Sequence, residues 1–185
     1  MIGHNKGPTL ERGHGWRRHA WTRARKALIP NTMPLEIVRL RVKRAAALGL
    51  DYKTYASIRA ASGRDVVAFL FSGNALALTP KRLTLPHHIA DKLTPLDAQR
   101  LAAIYAPAHP VAVAKANPGL FTHVAAAPPF TESWSATRAR LKSLLSTANA
   151  PADGTILIAA TTIERDWCAA ANLAAAIPAD RFFTD

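Results

Sequence analysis

Val66-Val67-Ala68-Phe69-Leu70-Phe71, broken at once by Ser72-Gly73-Asn74, is the stretch that decides the fold. Six apolar residues, mostly β-branched or aromatic, with no polar alternation, predict a strand buried on both faces. Downstream the same signature recurs at 100–106, 122–127 and 155–160, with a short edge strand expected at 181–184. Helical patterns lie between these runs at 83–93, 111–116, 132–146 and 163–176. Thr131 is expected to cap the third, and Thr161 or Thr162 the fourth. Strands alternating with helices predict an α/β fold: a small parallel sheet of four to five strands, helices on both faces and right-handed crossovers.

Upstream of this body the composition changes. The chain has 185 residues, 24 Lys and Arg against 12 Asp and Glu, and a formal charge of +12. Residues 1–64 hold fourteen of the basic residues and three of the acidic ones, an excess of +11. Residues 65–185 hold ten and nine, an excess of +1. A segment so basic repels itself unless something neutralises it, which points to a polyanion. With 49% hydrophobic residues the chain can bury a core, and global disorder is excluded.

The first third divides into a tail at 1–15 without periodicity and a basic helical module at 16–64, ahead of the body at 65–185. Residues 16–28 suit a short helix with Trp21, Ala24 and Leu28 on one face, and Arg18 and Arg25 on another. A second helix starts at Pro34, with Leu35, Val38 and Val42 as its apolar stripe and Gly49 ending it. Asp51 caps a third, 52–61, ended by Ser62-Gly63. The pair has the outline of a helix-turn-helix, in which Lys53, Thr54, Ser57 and Arg59 would face outward. An ordinary helical hairpin explains the same pattern.

Two sets of candidate site residues follow. Phosphate neutralisation falls to Arg17, Arg18, Arg23, Arg25, Lys26, Arg39, Lys43, Arg44 and Lys53, with Trp16 or Trp21 stacking on an unpaired base. The other set uses the rule that open parallel sheets bind ligands beyond their strand carboxyl ends. It gathers Ser72, Gly73, Asn74, His109, Thr131, Glu132, Thr162, Glu164 and Arg165. In that set the 72–74 turn could offer backbone N–H groups to an anion, and His109 could serve as a general acid or base.

Several chemistries lack their signatures. There is no G-x-G-x-x-G, no P-loop and no nucleophile elbow. A single cysteine, Cys168, excludes a disulfide framework or a multi-thiolate zinc site, and predicts a buried inert thiol. Adjacent His87-His88 cannot make an i, i+4 metal pair, and nothing indicates a metal or a cofactor. No secretory h-region or membrane-length apolar run is evident, so a cytoplasmic location is expected. Residues 12–26 are Arg-rich, as in a transit peptide, but lack Ser.

Three readings of function remain open. The first is a nucleic-acid-binding protein, for RNA or DNA, with the basic module on an α/β scaffold. The second is a domain that binds, or acts on, a phosphorylated or anionic small molecule at the strand edge. The third is a non-catalytic subunit of a larger complex.

Overall fold

The computed structural model describes residues 33–184 and, ahead of them, Arg23. The chain divides into two compact units, Met1–Leu40 and Arg41–Asp185. Of the expected helix at 16–28, only Arg23 is described, and it is helical and exposed.

The elements run α1 (Leu35–Ala47), α2 (Tyr52–Ser62), β1 (Ala68–Ser72), α3 (His87–Leu93), β2 (Gln99–Ile104), α4 (Pro110–Ala116), β3 (His123–Ala126), α5 (Trp134–Thr147), β4 (Thr155–Ala159), α6 (Thr162–Ala171), β5 (Ala175–Pro178) and α7 (Ala179–Phe183). The five strands are all parallel, in the order β3-β2-β1-β4-β5. The chain therefore steps outward from β1 to β3, then returns to the other side of β1 and steps outward again. The α/β expectation stands. β1 pairs on both edges, Leu70 with Leu101 and with Leu157, so every one of its residues is buried.

Alternation across β1 divides the core. Phe69 and Phe71 pack with Ile104, Ile156, Ile158 and helices α1 to α4 and α7, whereas Ala68 and Leu70 pack with Leu101, Leu157 and helices α5 and α6. This is the period of two that a pleated strand imposes. Phe182 closes over the first layer, with its ring centroid 5.4 Å from that of Phe69 and 5.9 Å from that of Phe71.

The last elements correct the sequence expectation. Helix α6 stops at Ala171 because Asn172 takes a left-handed conformation at φ 56°. The fifth strand is therefore Ala175–Pro178, and 181–184 is not a strand: α7 occupies Ala179–Phe183. Helix α5 begins two residues later than expected, with Ser133 rather than Thr131 as cap; Ser133 Oγ accepts from the Ala136 N–H.

The helical hairpin has the expected caps. Gly49 sits at φ 62°, with its N–H bonded to Ala46 O and the Leu50 N–H to Ala45 O, a Schellman closure that needs a residue without Cβ strain. Asp51 Oδ1 accepts from the Thr54 N–H at 2.9 Å. The apolar stripe differs from expectation: Leu35 and Val42 are 63% and 46% exposed, and the buried residues are Ala45 and Leu48.

The boundary expected at 64/65 is not a break in packing. Ala45, Leu48, Tyr55 and Ile58 belong to the same buried cluster as Phe69, Ile104 and Ile156. Arg44 locks this arrangement. Its guanidinium donates to Asp65 Oδ2 at 3.3 Å, Asp97 Oδ2 at 2.6 Å, Asp97 O at 3.0 Å and Val66 O at 2.9 Å. Asp65 also accepts from the Tyr55 hydroxyl at 2.7 Å and faces Arg59 at 3.3 Å. Burial alone would raise the Asp65 carboxyl, but the Tyr55 hydroxyl, the Val66 amide and the two arginines together hold it below its ordinary range.

Arg44→Met should therefore destabilise the protein by about 3 kcal/mol in urea melts, because Asp65, Asp97 and two carbonyls each lose a charged donor. Lys43→Met next to it, on the exposed face, should stay within about 0.5 kcal/mol. The Asp65 contribution should be complete above its unfolded pKa of about 4 and be lost as pH falls below that, a loss that Asp65→Asn removes.

Candidate functional site

In this strand order the chain leaves β1 and β4, which are neighbours, toward opposite faces of the sheet. A crevice opens between their carboxyl ends, the place where open α/β sheets receive ligands. Two segments line it: the turn that follows Ser72 and the start of α6.

The 72–74 turn closes on itself. Ser72 Oγ accepts from the Ala75 N–H, Ser72 O from Leu76, Asn74 O from Ala77 and Gly73 O from Leu78. Gly73 donates its N–H to Ala103 O at 2.8 Å. Of the turn N–H groups expected to face an anion, that of Gly73 is thus already bonded, as are those of residues 75–78 that follow the turn.

Across the crevice, Thr161 and Glu164 form a capping box at α6. Glu164 is fully buried. Its Oε2 accepts from the N–H groups of Ala160 at 2.8 Å and Thr161 at 3.0 Å, and its Oε1 accepts from Asn74 Nδ2 at 2.9 Å. A helix N-terminus attracts negative charge, and here an internal carboxylate supplies it. Glu164 therefore ties β1 to β4 and occupies donors that an anionic ligand would use.

Tyr105 stands one residue beyond β2 and completes the crevice. Its ring stacks on Phe130 at 4.7 Å and lies 5.9 Å from Trp167. Its hydroxyl oxygen is buried close to Glu164 without a well-shaped hydrogen bond. Burial, and then the Glu164 charge, push this hydroxyl far above the ordinary tyrosine range. One cleft of about 230 Å³, lined by Gly73, Asn74, Thr79, Tyr105 and Phe130, lies on one side of the stack. Another, of about 130 Å³, is lined by Phe130, Trp134, Ile163, Asp166 and Trp167. Among the described residues no lysine or arginine lines either.

The remaining strand-edge candidates are more scattered. His109 precedes α4, is exposed and lines neither cleft. Thr131, Thr162 and Arg165 are exposed and also line neither. Glu132 lines the smaller cleft and is held by Arg140, whose Nη2 donates at 2.7 Å and whose Nε reaches both carboxylate oxygens at 3.2 Å. Cys168 is half-buried, with its thiol aimed at Leu173 O and its pKa raised by burial. Among the described residues no cluster of His, Cys, Asp and Glu could hold a metal ion, and no helix is long and apolar enough to cross a membrane.

Of the basic set, Trp16, Arg17, Arg18, Trp21, Arg25 and Lys26 lie outside the described residues. Arg39, Lys43 and Lys53 are exposed, as a phosphate contact requires. Arg44 is not available for that role: both carboxylates and both carbonyls described above engage its guanidinium. On the outward face of α2, Thr54 Oγ1 accepts from Arg181 at 2.9 Å, while Lys53 and Ser57 stay exposed.

Sequence reasoning missed Tyr105, Phe130 and Trp167. The available signals were a tyrosine immediately after a strand, an aromatic after Pro128-Pro129, and a tryptophan three residues beyond Glu164, hence on the same helix face. Compared with protein-family models, curated proteins and solved structures, the chain has no match.

Glu164→Gln replaces one acceptor by a donor facing donors, and should cost about 2–3 kcal/mol in urea melts. Tyr105→Phe removes a buried hydroxyl that lacks a formed bond, so at pH 7 stability should be equal or higher. Unfolded tyrosine ionises near pH 10 and folded Tyr105 does so later. The wild type should therefore lose stability as pH rises above 10, and Tyr105→Phe should lose less of it.

Proposed function

We propose that the chain binds nucleic acid through phosphate contacts made by the basic residues of its first third. The observation that supports this reading is where the excess charge sits and which cations have partners. Residues 1–64 carry an excess of +11 and the rest +1. Among the described cations of that segment, Arg44, Arg59 and Arg64 pair with Asp65, Asp97 and Asp153. Arg39, Arg41, Lys43 and Lys53 have no carboxylate partner among the described residues. Of these, Arg39, Lys43 and Lys53 are exposed, and exposed cations release counterions from a phosphate backbone when they bind it.

The reading that places a phosphorylated ligand at the strand edge draws less support. The Gly73 N–H is bonded to Ala103 O, those of Ala160 and Thr161 to the buried Glu164 carboxylate, and no cation among the described residues lines the clefts.

The mechanism is electrostatic. Arg39 and Lys43 on α1, Lys53 on α2, and the arginines at 17, 18, 23 and 25 neutralise phosphates. Trp16 and Trp21 offer stacking faces to unpaired bases. Phosphate contacts of this kind set affinity and carry no sequence preference of their own.

The test is fluorescence anisotropy of the full chain with duplex DNA, single-stranded DNA and structured RNA. Deleting residues 1–64 is not a usable control, because Ala45, Leu48, Tyr55 and Ile58 are part of the core. The triple variant Arg39→Glu, Lys43→Glu, Lys53→Glu should keep the wild-type melting temperature and lose affinity at least 100-fold. The pair Arg138→Glu, Lys142→Glu on exposed positions of α5 should lose less than about 3-fold. Equal losses for the two variants, or no binding by the wild type, would overturn the proposal.

A further inference from the structure

The smaller cleft at the sheet edge has a composition unlike the rest of the surface. It lies between the β3–α5 loop and α6, encloses about 130 Å³, and is lined by Phe130, Trp134, Ile163 and the buried Trp167, with Glu132 and Asp166. Phe130, Trp134 and Ile163 are 58%, 54% and 55% exposed. Three large apolar side chains that stay in water around one concavity mark a binding site more often than chance.

The charges decide what could bind. Arg140 engages Glu132. Asp166 is exposed and has no hydrogen-bond or ion-pair partner among the described residues. Among the described residues no lysine or arginine lines the cleft. An anion would meet the unpaired Asp166 carboxylate and a Glu132 carboxylate already paired with Arg140. The positive ends of α5 and α6 do not reverse this, because Ser133 Oγ caps the first and Glu164 the second. The faces of tryptophan and phenylalanine carry negative quadrupole potential, which attracts a cation, and ammonium groups with apolar substituents gain most from such walls.

We propose that this cleft binds a small organic cation, an alkylated ammonium head group. The head would sit against the exposed faces of Trp134 and Phe130, with Asp166 supplying the opposing charge. This site is independent of the nucleic-acid reading, since none of the residues assigned to phosphate contact lines it.

The test uses the full chain and NMR detection of the tryptophan indole N–H signals, assigned with a Trp134→Phe variant. Choline and tetramethylammonium are titrated at constant ionic strength, beside 3,3-dimethylbutan-1-ol, the uncharged counterpart of choline. The proposal expects saturable shifts of the Trp134 and Trp167 signals with both cations. Binding of the uncharged analogue should be at least about 10-fold weaker. Asp166→Asn, an exposed substitution, should weaken choline binding about 10-fold. Trp134→Ala, also exposed, should abolish the Trp167 shift while far-ultraviolet circular dichroism is unchanged. Absence of saturable shifts, an equal response to the uncharged analogue, or unchanged choline affinity in Asp166→Asn would each overturn the proposal.

Discussion

Arg44 sits near the end of a helix crowded with cations, yet its guanidinium reaches Asp65, Asp97 and the Val66 carbonyl, at the entrances to β1 and β2. That set of bonds makes the hairpin α1–α2 part of the α/β body from Arg41 onward rather than an appended module. Breaking the partly buried side of such a network costs more than forming it gains, because Asp65 and the Val66 carbonyl stay partly buried. The same constraint sorts the charges of the first third. Those that face Asp65 and Asp153 hold the fold, and Arg39, Lys43 and Lys53 have no carboxylate partner among the described residues.

The sheet edge is organised by a second internal ion. Glu164 answers the N-terminus of α6 and bonds Asn74 across the junction of β1 and β4. A phosphate could occupy that position only by displacing a carboxylate that three donors hold. What remains open at the edge is aromatic: Tyr105 stacked on Phe130, with Trp134 and Trp167 near by. Strand topology creates the crevice, and the side chains then determine which ligands suit it.

Much of the fold was legible because β1 is a run of apolar residues that only a two-sided burial satisfies, and the caps Asp51, Gly49, Gly63 and Thr161 stand where helix ends require them. The errors have local causes. Residues 169–176 are nearly all alanine and read as continuous helix, so the left-handed turn at Asn172 and the start of β5 were hidden. Arg181-Phe182-Phe183 has strand composition but folds as a helical turn because the Phe182 ring fills the space over Phe69 and Phe71. Of the site residues, Ser72, Asn74 and Glu164 were found by a rule about strand ends. Tyr105 and Phe130 were not, because a single aromatic in a loop carries no periodic signal. The pairing of Arg44 spans 53 residues of sequence and follows from no local pattern.

The proposed grip of exposed cations in the first third on a phosphate backbone rests on electrostatics. Its most direct test is the salt dependence of binding by the wild-type chain. The logarithm of affinity for DNA or RNA should fall linearly with the logarithm of salt concentration. Six or more phosphate contacts correspond to a loss on the order of 1000-fold between roughly 50 and 200 mM. Affinity that does not change over that range, or that is lost without such a slope, would contradict the account.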